Sequence, residues 1–188
     1  MELILASGSP RRLELLRQIG LEPRVVVSRS EEEKTDRDPA HLVCHNALAK
    51  GQDVCSRLGD QVPILAADTV VALDGEILGK PRDRQEAAAM LRKLSGRSHQ
   101  VLTGLALFYR GKVLTHVETT QVQFSLLSEE DIAGYIRTGE PLDKAGAYGI
   151  QGRAALFIPT INGSYSNVVG LPLAALKKTL CRTGCDRK

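Results

Sequence analysis

The sequence is poor in the residues that mark several protein classes. It has no tryptophan, three phenylalanines and four tyrosines, and its formal net charge is only +3. Because bases stack on aromatic side chains and phosphates attract clustered basic residues, this composition argues against a nucleic-acid-binding module. We therefore expect no nucleic acid partner, although a local anion site is compatible with so mild a charge.

Cysteines are also few, and long apolar runs are missing. Cys44, Cys55, Cys181 and Cys185 form neither a CxxC pair nor a Cys/His set, so a structural zinc site is not expected. No run reaches the ~20 apolar residues that span a bilayer, and the N-terminus has no signal-peptide pattern. These absences predict a cytoplasmic protein with reduced thiols and no membrane partner.

The pattern along the 188 residues predicts an α/β fold, because strands and helices alternate without repeats or linkers. Strands are predicted at "ELILA", "ILAADTVVAL", "HQVLTGLALFY", "KVLTHVETTQVQF" and "AALFI", with hairpin turns at "DG" and "RG". Helices are predicted after the N-caps Ser9, Asp38, Asp83 and Ser128, and from Pro172. We predict one domain over residues 1–180 and a flexible tail at 181–188.

The stretch "ASGSPRR" (residues 6–12) combines anion-binding groups at the start of a predicted helix. Ser9 is placed to cap the helix and Pro10 to open it, while first-turn N–H groups and the helix dipole attract negative charge. Arg11 and Arg12 add forked donors suited to phosphate oxygens. The alternative is an ordinary Ser-Pro helix start with two solvated arginines.

Asp68 is the sharper signal, because it interrupts the apolar strand "ILAADTVVAL". A buried carboxylate requires a cation, a metal or a catalytic task; the alternative is a strand-end residue that pairs with a lysine or caps an element. Together with Asp68, one carboxylate of "EEE" at 31–33 could hold a hard divalent cation, unless that run is a solvated loop. Lys50 and Lys80 are candidates to neutralise phosphate charge.

Two glycine-containing stretches fail the spacing of nucleotide-binding loops. "GEILGKP" is too short for a P-loop and has proline after its lysine, and "GAYGIQG" does not follow a strand into a helix. Gln151 in the second stretch carries an amide whose donor and acceptor could read uracil or thymine, unless it is an exposed loop glutamine. His99 is isolated from any nucleophile signature, which favours a structural role.

These residues lie in stretches that closely resemble the Maf family of nucleoside triphosphate pyrophosphatases. The resemblance runs from Leu3 to about Leu180 and is carried by "LASGSPRR", "ILAADTVV" followed by "GKPRD", "LRKLSGRSHQVLTG", "GEPLDKAGAYGIQG" and "INGSYSNVVGLPL". It implies an α/β fold with an elongated mixed sheet, flanking helices, and two lobes around a deep nucleotide-binding cleft. It also implies hydrolysis of a nucleoside triphosphate to the monophosphate and pyrophosphate with Mg²⁺ or Mn²⁺.

The resemblance also implies roles for individual residues. The family's catalytic aspartate corresponds to Asp68, which with Glu32 would hold the metal. The groups that bind phosphate or metal correspond to Ser7, Arg11, Arg12, Glu32, Lys50 and Lys80, and Ser9 belongs to the same helix start. Three positions separate members acting on dTTP and UTP from those acting on a methylated guanine nucleotide. They correspond to Arg11, Thr69 and Gln151, and all three match the pyrimidine type.

Two departures from the family's pattern concern the site. His45 lies five residues before Lys50, where many relatives have an arginine, and "SEEE" replaces an Asp-Glu pair, which leaves Glu31 and Glu32 as alternative metal ligands. The family's association with septum formation suggests a second hypothesis, a nucleotide-binding regulator of cell division with incidental hydrolysis. The oligomeric state stays open, with a homodimer as one alternative, as does the choice between normal and modified pyrimidine nucleotides.

Overall fold

The computed structural model describes residues 2–34 and 38–185, and one mixed sheet runs through this part of the chain. Its strands are β1 (Ile4–Leu5), β2 (Arg24–Val25), β3 (Ile64–Leu73), β4 (Glu76–Leu78), β5 (Ser98–Tyr109), β6 (Lys112–Gln123) and β7 (Thr160–Asn162). The order is β2-β1-β3-β5-β6-β7, and β4 pairs with β3. β1 is parallel to β2 and β3, and the other pairs are antiparallel. The predicted mixed sheet is confirmed.

Helices flank the sheet: α1 (Pro10–Gln18), α2 (Pro39–Leu58), α3 (Arg84–Leu94), α4 (Glu129–Arg137), α5 (Tyr165–Val169) and α6 (Leu173–Thr183). The predicted N-caps Asp38, Asp83 and Ser128 each accept a hydrogen bond from a first-turn N–H. Ser9 stands at the N-cap of α1, but within the described chain its side chain accepts no capping bond. None of the described helices is both long and apolar enough to cross a membrane.

Side chains along β3 alternate between the two faces of the sheet, so neighbouring residues of this strand pack in different hydrophobic cores. Ala66 packs under α2. On the opposite face, Leu65 packs in a core with α1 and α6, whereas Val71 packs in a second core with α3 and α4. Thr69 lies on that face between the two cores, so two lobes meet at the middle of β3.

The predicted strand at "AALFI" is wrong. Residues Arg153–Phe157 form a 3₁₀ helix, in which Ala154 and Phe157, three positions apart, are buried while Leu156 is 79% exposed. The strand of this region is β7, and α5, which follows it, was not predicted. A five-residue apolar run fits either periodicity, so packing rather than local pattern selects the 3₁₀ turn.

The flexible tail predicted for residues 181–188 is wrong for its first part. Helix α6 continues to Thr183, and Cys185 is buried in the core that α1 and α6 share. Residues 181–185 therefore belong to the fold, and residues 186–188 lie outside the described residues.

A glycine on β5 allows α2 to lie close to the sheet. Gly104 pairs with Asp68 across β3 and β5, and a Cβ at Gly104 would lie 2.2 Å from the backbone oxygen of Val43 on α2. Because the obstruction is backbone, it cannot rotate away. Because Gly104 has no side chain, α2 can lie against the sheet beside Asp68, the residue that pairs with Gly104.

We expect Gly104→Ala to lower the free energy of unfolding by about 3 kcal/mol, because α2 must shift away from the sheet to make room. Urea denaturation followed by circular dichroism measures this change. Gly79→Ala is the matched control: a Cβ there meets nothing within 4 Å, so its effect should stay within about 0.5 kcal/mol. Equal effects of the two substitutions would contradict the steric explanation.

Candidate active site

The main cavity opens at an edge of β3 that its neighbouring strands leave uncovered. β1 pairs with β3 only at Ile64 and Leu65, and β4 pairs with it only at Val71–Leu73. Between these pairings lies a cavity of about 830 Å³ that reaches both lobes. It is lined by nine of the predicted site residues: Ser9, Arg11, Arg12, Glu32, Lys50, Asp68, Thr69, Lys80 and Gln151.

A second, adjoining cavity of about 310 Å³ lies at the start of α1. Ser7, the remaining predicted site residue, lines this cavity, which shares Arg11, Lys50 and Lys80 with the larger one. At a helix start, first-turn N–H groups lack intrahelical partners and carry the positive end of the dipole. This end of the cleft is therefore suited to an anion.

Asp68 and Glu32 meet at a shared cation. The Lys50 Nζ donates to Asp68 Oδ1 and to Glu32 Oε1, both at 2.7 Å. Asp68 is only 7% exposed, so the predicted need of its carboxylate for a cation is met in the structure. Burial raises the pKa of Glu32, but the hydrogen bond and charge of Lys50, with the charge of Lys80, outweigh it and hold that pKa below its ordinary value.

The geometry favours Glu32 over Glu31 as the acidic partner of Asp68. Both residues are exposed, but Glu32 lines both cavities and Glu31 lines neither. His45, the departure noted in the sequence, is exposed on α2 and also lies outside the two linings.

Asn46 is a site residue that the sequence reasoning missed. It is 3% exposed and lines the larger cavity, and its Nδ2 donates to Asp68 Oδ2 at 3.0 Å. The signal was available: Asn46 interrupts the apolar face of α2 and stands four positions, about one helical turn, before Lys50.

Arg12 is not the solvated arginine that an ordinary helix start would have, because its guanidinium is hydrogen-bonded to three groups of the protein. It donates to the carbonyl oxygen of Gly170 (2.8 Å), to Ser7 Oγ (2.9 Å) and to Thr69 Oγ1 (3.1 Å). Burial lowers its pKa, an effect that the charge of Asp68 opposes. Arg12 thereby joins the start of α1 to β3 and to the loop after α5.

Arg11 faces the cleft instead. Its guanidinium lies 3.4 Å from Asp143, which belongs to the 3₁₀ turn Glu140–Asp143 on the other lobe. The pair is partly exposed, so it contributes little to stability, and an anionic ligand can compete for Arg11.

Part of the larger cavity's lining is apolar: Val71, Val101, Val168, Tyr148 and Ile150. Gln151 lines the same cavity and is exposed. Thr69, which also lines this cavity, is fixed in position by Arg12 and by Thr103, whose Oγ1 lies 2.9 Å from Thr69 Oγ1. A flat ring with a few polar edges fits such a lining.

Glu32 and Asp68 also fit a hard divalent cation. Within residues 2–34 and 38–185, no three His, Cys, Asp or Glu side chains converge, so the described chain offers two carboxylates rather than a closed metal site. Mg²⁺ is commonly bound by one or two carboxylates together with substrate phosphates and water. The contact of Lys50 with both carboxylates shows that they can share one cation.

His99 lies outside the cleft lining, as a structural histidine would. It is buried against Phe124, and its Nε2 shares a 2.7 Å hydrogen bond with the Tyr148 hydroxyl. Burial lowers the pKa of His99 to about 4. The ring is therefore neutral at physiological pH and supports Tyr148 in the cavity wall.

We expect this buried histidine to make the protein sensitive to acid. In the unfolded chain His99 binds a proton near its ordinary pKa of 6.5, whereas in the folded protein it does so only near 4. Its contribution is thus complete above about pH 6.5 and is lost as pH falls towards 4, by roughly 2 kcal/mol at pH 5. Urea denaturation at pH 7.5 and pH 5 should show a smaller loss for His99→Gln than for the unmodified chain. An equal loss of stability in both proteins would contradict the assignment of this acid sensitivity to His99. His45→Gln, at an exposed histidine, is the control.

Together, the open mixed sheet and the charged cleft at its edge define a class, the α/β proteins whose cleft offers a helix start and cationic side chains to an anionic ligand. Within that class, the chain belongs to the Maf-like protein family, whose model matches residues 2–183. The family expected from the sequence is confirmed.

Individual relatives are similar over nearly the whole chain. A dTTP/UTP pyrophosphatase of Symbiobacterium thermophilum is 54% identical over 184 residues, which cover 97% of this chain and 94% of that protein. A dTTP/UTP pyrophosphatase of Escherichia coli O157:H7 is 51% identical over 172 residues, which cover 91% and 87%. The solved structure of a HAM1 protein from Coxiella burnetii has a TM-score of 0.50 at 17% identity, covers 84% of this chain and 91% of its own, and shares the fold.

Proposed function

We propose that this protein hydrolyses dTTP and UTP to the nucleoside monophosphate and pyrophosphate. The observation that carries the proposal is the convergence of Asp68, Lys50 and Glu32 in the cleft, beside the start of α1. The names of the relatives, dTTP/UTP pyrophosphatases at 51–54% identity, support the same reaction.

The triphosphate is neutralised by groups that surround the two cavities. Arg11, Lys50 and Lys80 line both of them, and the first turn of α1 adds backbone N–H donors next to Ser7 and Ser9. Arg12 acts differently from these cations: it holds Ser7 and Thr69 in place. Negative charge that develops on the leaving pyrophosphate is stabilised by a preorganised cationic surface.

Asp68 is the general base of the proposed reaction. A water molecule hydrogen-bonded to its carboxylate attacks the α-phosphorus, and its proton passes to Asp68. A bond forms between the water oxygen and the α-phosphorus, and the bond from the α-phosphorus to the bridging oxygen breaks. Pyrophosphate leaves with that oxygen, and the monophosphate keeps the new one. Most of the rate enhancement comes from positioning and charge stabilisation.

Glu32 and Asp68 are the residues that would hold Mg²⁺ or Mn²⁺. When bound, the cation supplies Lewis-acid neutralisation of phosphate oxygens. Lys50, which the two carboxylates share in the structure, would then be available to donate to phosphate oxygens.

The pyrimidine base binds against the apolar part of the cleft lining. Gln151 offers an amide donor and an acceptor to the base edge, and Thr69 and Tyr148 line the same cavity. A site that hydrogen-bonds a base edge disfavours bases with the opposite donor and acceptor pattern, because polar groups that lose water on binding are then left unpaired.

The test is pyrophosphate release from dTTP, UTP, CTP, GTP and 7-methyl-GTP with Mg²⁺ or Mn²⁺. We expect kcat/KM for dTTP and UTP to exceed that for the other nucleotides at least about tenfold. Tight binding of dTTP without turnover would refute the proposal and favour the alternative, a nucleotide-binding regulator of cell division. The cytoplasmic location and the lack of a nucleic acid partner stay predictions, and the homodimer remains one alternative.

A further inference from the structure

Asn46 occupies a position on α2 that the proposed reaction leaves without a role. We infer that Asn46 is a positioning residue, which orients Asp68 and fixes the segment that carries Glu32. The inference rests on the proposed function, because it concerns the rate of that reaction.

The amide of Asn46 directs its described hydrogen bonds to the acidic site. Nδ2 donates to Asp68 Oδ2 and to the backbone oxygen of Glu33, each at 3.0 Å. Oδ1 accepts from the backbone N–H of Glu33 at 2.8 Å. A single buried side chain thus connects Asp68 with the residue next to Glu32.

These contacts distinguish the two oxygens of Asp68. Oδ2 accepts a hydrogen bond from Asn46. Oδ1 accepts from Lys50, whose ammonium also contacts Glu32. With Oδ2 held, the carboxylate cannot rotate freely, so Oδ1 keeps its direction when Lys50 moves to substrate. An amide holds a carboxylate in this way without competing for its proton.

The same side chain also constrains Glu32. The two hydrogen bonds to the Glu33 backbone tie this loop to α2, although the loop itself is largely exposed. Glu32 is thereby kept beside Lys50 and Asp68. Core packing alone does not require an amide here, because the other buried residues of this part of α2 are apolar: Leu42, Val43 and Ala47.

The experiment compares Asn46→Leu, which keeps the branched shape but removes the hydrogen bonds, with Asn46→Asp, which keeps the shape and the bond from the Glu33 N–H. For each, kcat and KM for dTTP are measured at saturating Mg²⁺, thermal unfolding is followed, and binding of α,β-imido-dUTP is measured by calorimetry. We expect kcat to fall about 10- to 100-fold in both variants. KM and the analogue's Kd should change less than about threefold, because the cleft cations and Gln151 are untouched.

Val54→Ala is the matched control, since Val54 is buried on the same helix in a core without site residues. It should lower the Tm with kcat unchanged at a temperature where the protein is folded. Asn46 variants that stay folded with kcat within twofold of the unmodified chain would overturn the inference alone. Loss of folding in both variants would also overturn it, because the role would then be structural. An inactive unmodified chain would instead overturn the proposed function, and this inference with it.

Discussion

Asp68→Asn is expected to lower kcat for dTTP by about 10³- to 10⁴-fold while the protein stays folded. An amide cannot take the proton of the attacking water, and it removes one of the two carboxylates that would hold the metal. The loss is measured as pyrophosphate release under saturating nucleotide and Mg²⁺. Residual activity above about one tenth would exclude Asp68 as the base.

The fold should tolerate this substitution at a modest cost in stability. Asparagine has the shape of aspartate and its oxygen can still accept from Lys50, but its amide nitrogen then faces the Nδ2 donor of Asn46. Lys50 also retains Glu32 as an ionic partner. Glu31→Gln is the control of equal charge change: Glu31 is exposed and lines neither cavity, so kcat should stay within about twofold. A large loss in Glu31→Gln would instead make Glu31 the acidic partner of Asp68.

Arg12→Lys is expected to destabilise the protein by about 3 kcal/mol and to lower kcat/KM about 100-fold, although it keeps the charge. A lysine ammonium cannot reach in the three directions that the guanidinium serves, at Gly170, Ser7 and Thr69. Arg12 is 8% exposed, so acceptors that lose their donor are left buried. Ser7 and Thr69 then lose their positions, which affects the proposed contacts with phosphate and base together.

Arg11→Lys is the matched control for this prediction. Arg11 is the neighbouring arginine, and its contact with Asp143 is long and partly exposed, so the free energy of unfolding should change by less than about 0.5 kcal/mol. Urea denaturation and dTTP kinetics on both variants provide the comparison. If the two substitutions destabilise equally, Arg12 does not join α1 to β3 and to the loop after α5 as described.

Most of the fold was predictable because its signals are local. The strand β3 coincides with the predicted "ILAADTVVAL", and Asp74-Gly75 and Arg110-Gly111 turn their hairpins with positive φ at both residues. The predictions fail where a short segment fits two structures. The "AALFI" run became a 3₁₀ helix, and α5, five residues long, has too little periodicity to be recognised.

The candidate site was predictable wherever a residue contradicts its surroundings. Asp68 in an apolar strand and two arginines at a Ser-Pro helix start both point to charge chemistry without any tertiary information. Asn46 also differs from its surroundings, because it is an amide on an apolar helix face. One such amide has many structural explanations, so the sequence signal is weaker. Its role therefore emerged only from its contacts with Asp68 and Glu33.

The sequence by itself determined the alternation of strands and helices, the turns, the Ser-Pro start of α1 with its two arginines, and the need of Asp68 for a cation. These features depend on propensity, capping and burial, which act over a few neighbouring residues. The tertiary structure alone decided which partners each of these groups contacts. Arg12 contacts Gly170 across 158 positions and Arg11 faces Asp143 across 132. Adjacent residues with the same chemistry acquire different tasks because side-chain direction is set by distant packing, which no local pattern contains.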